Sequence, residues 1–122
     1  MKSRDTLVRL KRFQLEEKRR RVRQIDLMVA EFARICGDLE REIANEEKRV
    51  GVADPRHYAY PTYARAAATR RDNLKRSIVE LTAQLEDAKT AQDEAQAELV
   101  KAEALEVRDK GTERQIDAVA RA

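Results

Sequence analysis

Apolar side chains recur along the first part of the chain at alternating spacings of three and four. Leu15, Val22, Ile25, Val29, Phe32, Cys36, Leu39, Ile43 and Val50 share one stripe; with heptad position a at residues 15, 22, 29, 36, 43 and 50, only Lys18 and Glu46 break the a and d series. A period this regular over about five heptads predicts a coiled-coil seam rather than the broader face of a globular helix. Met28 and Ile35 fall at g and widen the stripe, and Gly37 falls at b. A second series of the same period follows, made of Leu74, Ile78, Leu81, Leu85, Ala88, Ala95, Leu99 and Ala102 and interrupted by Gln92 and Glu106.

Residues 51–61 (GVADPRHYAYP) separate the two series. Gly51 can take the left-handed conformation that ends a helix, and Pro55 and Pro61 lack the N–H that would carry one through. The first helix is therefore expected over about 4–50 and the second over about 62–110, with Thr62 as its cap. Asp54 before Pro55 reads as an N-cap with an N1 proline, predicting one short helical turn inside the connection. Two helices of similar length joined this closely bury both seams most cheaply by folding back. The predicted fold is all-α, two long helices forming an antiparallel coiled-coil hairpin over 1–110; at about 1.5 Å per residue it would be a rod roughly 70 Å long. Residues 111–122 are expected as a short helix or frayed tail, with capping-box spacing between Thr112 and Gln115.

Charge agrees with this direction. A hairpin turning near residue 56 sets residue i opposite roughly 112 minus i. Residues 1–23 carry ten Lys or Arg and three acids, whereas 80–109 carry nine acids and three bases; nearer the turn, five acids and three bases in 38–50 face five bases and one acid in 62–76. Each exposed pair is worth little, but the arrangement favours the antiparallel register. Composition also fits, since 42% hydrophobic, 40% charged and 4% aromatic residues leave no material for a thick core.

Carried back to the N-terminus, the register places Val8 at a and Lys11 at d, but Leu7 at g, Leu10 at c and Phe13 at f. Phe13 then points almost directly away from the partner helix. Leu7, Leu10 and Phe13, flanked by Arg9, Lys11 and Arg12, read as a contact surface for another protein; the alternative is a register shift or fraying at the chain end. Tyr58, Tyr60 and Tyr63 stand together beside the turn, either as a plug for the open end of the hairpin or as a second docking surface.

Little else in the chain carries chemistry. One cysteine, Cys36 at an a position, and one histidine, His57 in the turn, offer neither a disulfide nor a metal set. No Gly-rich phosphate loop or catalytic pairing is present, so no enzyme activity, cofactor or metal is expected. No stretch reaches the roughly 20 apolar residues of a membrane span, and a cytoplasmic location is expected. The basic run from Lys18 to Arg21, with Arg23, lacks the asparagine-containing signature of a bZIP basic region and faces the acidic half of the second helix. It reads as a solvated, internally neutralised face or as a surface for an acidic protein partner.

The stretches MKSRDTLVRLKRFQLEEKRRRV (1–22) and AYPTYARAAATRRDNLKRSI (59–78) resemble the FliJ family of flagellar type III export proteins, particularly its alphaproteobacterial branch. The likeness covers roughly residues 1–110 and rests on chain length, the basic N-terminal helix and the residues at the turn. It implies a cytoplasmic antiparallel coiled coil, similar in shape to the stalk subunit of rotary ATP synthases, and peripheral to the inner-membrane flagellar base through its partners only. Those partners would be a FliI-like hexameric export ATPase, an FlhA-like export gate protein and export chaperones. The terminal end of the rod would enter the ATPase ring and couple ATP turnover to opening of the gate. The candidate contact residues come from the register, not from a family motif. The alternative reading is a basic, nucleic-acid-binding coiled coil, though nucleic acid is not the expected partner.

Overall fold

The computed structural model describes residues 2–121; Met1 and Ala122, the ends of the expected hairpin and tail, lie outside the described residues. It is an all-α helical hairpin of two helices, α1 (Lys2–Val50, 49 residues) and α2 (Thr62–Arg121, 60 residues), with no strand among the described residues. α1 ends where expected. Gly51 adopts φ +82° and its N–H donates to the Glu47 carbonyl at 2.8 Å, the left-handed cap that closes the last turn.

The connection departs from expectation. Instead of a helical turn, it makes two successive reverse turns: the His57 N–H donates to the Asp54 carbonyl at 3.0 Å and the Tyr60 N–H to the His57 carbonyl at 3.1 Å. Asp54 does cap, accepting the Arg56 N–H on its carboxylate at 2.9 Å, but what it caps is a turn with proline at its second position. The N-cap of α2 likewise falls on Pro61, whose carbonyl accepts the Arg65 N–H at 3.1 Å, so Thr62 is the first helical residue.

The chain packs as two compact units, Gln24–Leu85 and Met1–Arg23 with Glu86–Ala122. In the unit that holds the turn, Leu39 and Ile43 of α1 are buried against Tyr60 of the connection and Ala64 and Ala67 of α2, with Ile35, Val52, Ala68 and Leu74 packed around them. Ala64 is completely covered, so the helices approach closely here. Cys36 is also buried, its thiol directed at the Arg71 carbonyl at 3.8 Å, which is the small apolar seam role its a position predicts. Partners run in opposite directions: Cys36 meets Arg71, Glu42 accepts a hydrogen bond from Tyr63 and Glu47 one from Tyr60, while the long side chains of Glu40 and Lys75 reach along the seam to pair at 3.2 Å.

The other unit is built on Val8 and Leu15 of α1 and Leu99 and Ala102 of α2, with Leu7 and Ala95 packed against them. Its ion pairs are again antiparallel, Arg4 with Asp109 at 2.8 Å, Lys11 with Glu98 at 3.9 Å and Arg12 with Glu103 at 3.5 Å. Open grooves run along both sides of this seam, one of them beside the small side chains of Ala91 and Ala95. One of about 370 Å³ runs between Gln14 and Lys18 on α1 and Ala91, Glu94, Ala95 and Glu98 on α2; another of about 440 Å³ runs between Arg12 and Arg19 and Gln96 and Glu103.

α2 does not stop near residue 110. It runs through Gly111 to Arg121, where a separate short helix or frayed tail was expected. The residues read as a capping box behave as helix interior: the Thr112 hydroxyl donates back to the Arg108 carbonyl at 3.0 Å, and Lys110 reaches Glu106 one turn earlier at 2.7 Å. Gly111 has no left-handed φ, and a Cβ built on it meets nothing within 4 Å. A lone glycine costs a helix about 1 kcal/mol, too little to end one that local pairs support.

Two substitutions test this architecture. Ile25 is 1% exposed and Leu27, two residues on, is 70% exposed. Ile25→Ala should therefore lower unfolding free energy by about 2–4 kcal/mol, and Leu27→Ala by no more than about 0.5 kcal/mol, in denaturant titration; equal costs would mean that the register is wrong. Gly111→Ala should raise the circular-dichroism helix signal, by up to about 1 kcal/mol of helix propensity. A fall in helicity would instead show a left-handed cap at that residue.

Candidate functional site

Residues 7–13 divide according to their side of α1. Leu7 is half-buried against the Val8 and Leu15 cluster, and Lys11 is half-buried beside its Glu98 partner, so both help close the seam. Arg12 is exposed but tied to Glu103 across the seam. Leu10 and Phe13 are 48% and 63% exposed, as their c and f positions require, and Arg9 is exposed beside them. The helix continues unbroken through this segment and Val8 is buried, so the side chains are outward because of the register and not because the end frays. Phe13 lies one helical turn from Arg9, so their side chains are neighbours on the same outer surface.

The structure thus brings Arg9, Leu10 and Phe13 together and assigns Leu7, Lys11 and Arg12 largely to helix pairing. α2 adds a residue that the heptad series passed over. Leu105, half-buried, occupies a g position one heptad beyond Glu98, the partner of Lys11. It belongs to the side of the seam that carries Leu7, opposite the side where Arg12 meets Glu103. Its signal in the sequence was a lone leucine one residue before the seam position Glu106.

Nearer the chain ends, Arg4, Asp5, Glu106, Asp109, Lys110 and Glu113 surround a cleft of about 130 Å³. The hydrogen bond from Lys110 holds the Glu106 carboxyl below its ordinary range, and Glu106 in turn raises the Lys110 ammonium. Two of the four carboxylates are paired here, Asp109 with Arg4 and Glu106 with Lys110, and among the described residues no group of three or more His, Cys, Asp or Glu could hold a metal ion. The basic run is neutralised differently from expectation. Arg19 and Arg20 pair with Glu16 and Glu17 on the preceding turn of their own helix rather than with α2.

The tyrosines also separate. Tyr60 is buried on the seam, donates its hydroxyl to Glu47 at 2.7 Å and carries the Arg65 guanidinium 5.5 Å from its ring centroid. This is the plug. Tyr63 is exposed and donates to Glu42 at 2.9 Å, while Tyr58 is 95% exposed and stacks on His57 with ring centroids 4.6 Å apart. His57 accepts the Ala59 N–H on Nδ1 at 3.0 Å, which fixes its ring as part of the turn. Among the described residues no helix is long and apolar enough to cross a membrane.

The hydrogen bonds to Glu47 and Glu42 raise the pKa of Tyr60 and Tyr63 above the ordinary tyrosine value, with charge repulsion and partial desolvation adding to the effect. Because the folded-state pKa is raised, the neutral phenol is the favoured form. Its stabilisation of the turn is fully present below the ordinary tyrosine pKa and is lost as pH rises through the raised one. Absorbance titration of phenolate formation should show a late component, and Tyr60→Phe should remove amplitude from that component; loss of amplitude in the ordinary tyrosine range instead would mean that the Tyr60 to Glu47 bond does not persist in solution.

Comparison of the chain with protein-family models, with curated proteins and with solved structures yields no match.

Proposed function

We propose that this chain is a non-enzymatic coiled-coil component of the flagellar type III export apparatus, which couples the export ATPase to the export gate and assists delivery of chaperones and substrates. The observation that carries this reading is the pairing of a helical hairpin with an apolar surface that the hairpin itself leaves uncovered: Leu10 and Phe13 are exposed on the same helical turns whose Val8 and Leu15 are buried. The likeness of residues 1–22 and 59–78 to the FliJ family supplies the partners, an export ATPase hexamer and a gate protein. Work in this system is scaffolding and mechanical coupling, so the decisive chemistry is protein contact. The protein would act in the cytoplasm, held at the inner-membrane flagellar base by those partners.

A nucleic-acid role is less well supported, because Arg19 and Arg20 already have carboxylate partners within α1. Phosphate binding would have to displace them.

A pull-down of the protein against the export ATPase, the cytoplasmic part of the gate protein and sheared DNA at moderate salt tests the proposal. The expected result is retention of ATPase or gate without DNA. Leu10→Ala with Phe13→Ala should weaken that retention at least about tenfold, as for central apolar anchors of an interface, and leave helicity nearly unchanged. A large loss of helicity would place these residues in the core. Salt-sensitive retention of DNA alone would overturn the export reading in favour of phosphate contacts.

A further inference from the structure

We infer that the surface around Leu10 and Phe13 spans both helices and takes an acidic amphipathic helix. The inference rests on reading Leu10 and Phe13 as a contact surface, but not on the identity of the export proteins.

The two sides of the seam in this unit can be told apart by its ion pairs. Arg12 meets Glu103 on one side, both at e positions, whereas Lys11 reaches Glu98, a g residue, on the other. The groove between Gln14 and Ala91 lies on that second side, again between two g positions. Leu7 is one heptad before Gln14, and Leu105 is one heptad after Glu98. The register therefore sets the half-buried Leu7 and Leu105 on one side of the seam, with Leu10 beside Leu7 and Phe13 next around the helix. The four side chains form an apolar strip carried by two elements, the form in which grooves accept an amphipathic helix.

The charge around this strip is one-sided. Beside the strip, Glu17 is engaged with Arg20, Glu98 with both Lys11 and Lys101, and Asp109 with Arg4; Glu94, which has no ion pair among the described residues, stands farther along the groove beside Lys18. Arg9 and Arg108 are exposed and have no ion pair among the described residues, although each stands within one helical turn of the strip, Arg9 beside Phe13 and Arg108 beside Leu105. An incoming helix with acidic flanks would meet two unpaired guanidinium groups and no unpaired carboxylate between them. A basic one would meet like charge. The surface therefore selects by sign as well as by apolar fit.

The test uses the full chain and two designed helical peptides of about three heptads, with the same leucine face and with Glu in one and Lys in the other at the flanking positions. Fluorescence anisotropy should show binding of the Glu-flanked peptide and weak or no binding of the Lys-flanked one. Leu10→Ala with Phe13→Ala should weaken binding at least about tenfold. Arg9→Glu with Arg108→Glu should weaken it similarly and transfer the preference to the Lys-flanked peptide, whereas Arg76→Glu, in the other unit, should change nothing. Equal binding of the two peptides, binding of neither, or indifference to the Arg9 and Arg108 reversals would overturn the inference. So would sedimentation of the free protein as a dimer that Leu10→Ala with Phe13→Ala disperses, since the occupant would then be a second copy. Peptide selectivity with no capture of ATPase or gate would defeat the export reading alone; capture that depends on Phe13 but ignores Arg9 and Arg108 would defeat this inference alone.

Discussion

A single narrow stripe on each helix, closed at the turn by Tyr60, carries the burial among the described residues. Among the described residues no polar or charged side chain is buried, and the covered ones on α1 are Val8, Leu15, Ile25, Cys36, Leu39 and Ile43, all at a or d positions. On α2 many of their counterparts are alanines, Ala64, Ala67, Ala88 and Ala102. Alanine gives little transfer free energy but lets backbones approach, so the helices gain from close packing along α2 and from large side chains along α1. With no buried polar group to fix direction, orientation falls to the turn. Gly51 ends α1 within one residue, and two reverse turns bring Tyr60 back onto Leu39 and Ile43.

Electrostatics refines this arrangement rather than creating it. The cross-seam pairs, Arg4 with Asp109, Arg12 with Glu103 and Glu40 with Lys75, are substantially exposed and individually weak. Most other pairs lie three or four residues apart on one helix, such as Arg34 with Glu31 and Asp38, and support helicity locally. The consequence matters for recognition. The run from Lys18 to Arg21 looks like a strongly basic surface in one dimension, but Glu16 and Glu17 sit one turn away and cancel much of its field. What remains unpaired around Phe13 is sparse and therefore selective.

Periodicity made most of this fold legible. It set α1, the seam from Leu15 to Ile43, the end at Gly51 and the outward direction of Leu10 and Phe13. It failed where residue type underdetermines role. Ala64 and Ala67 belong to the seam, but in a stretch that also holds Ala66 and Ala68 no contrast between faces marks them. Gly111 and Thr112 carry the signature of a boundary, yet one glycine and one threonine cannot outweigh the intrahelical pairs on either side. Asp54 and Pro55 favour a cap whether a helix or a reverse turn follows, and the choice was made by the need to return Tyr60 to the seam within a few residues. Leu105 was overlooked because a g leucine on α2 acquires meaning only when Leu7 is placed across from it.

Helical geometry itself explains why the surface at Leu10 and Phe13 cannot be absorbed by the hairpin. At about 100° per residue, Phe13 stands about 140° around the helix from Val8, and Leu10 about 160° from it in the other sense. Rotating α1 to bury Phe13 against α2 would carry Val8 and Leu15 into water, exchanging two seam residues for one and opening the cluster with Leu99 and Ala102. One partner helix can cover one stripe. A segment that places Val8 and Leu15 on one face and Leu10 and Phe13 on the other has apolar surface for two partners, and α2 is the first of them.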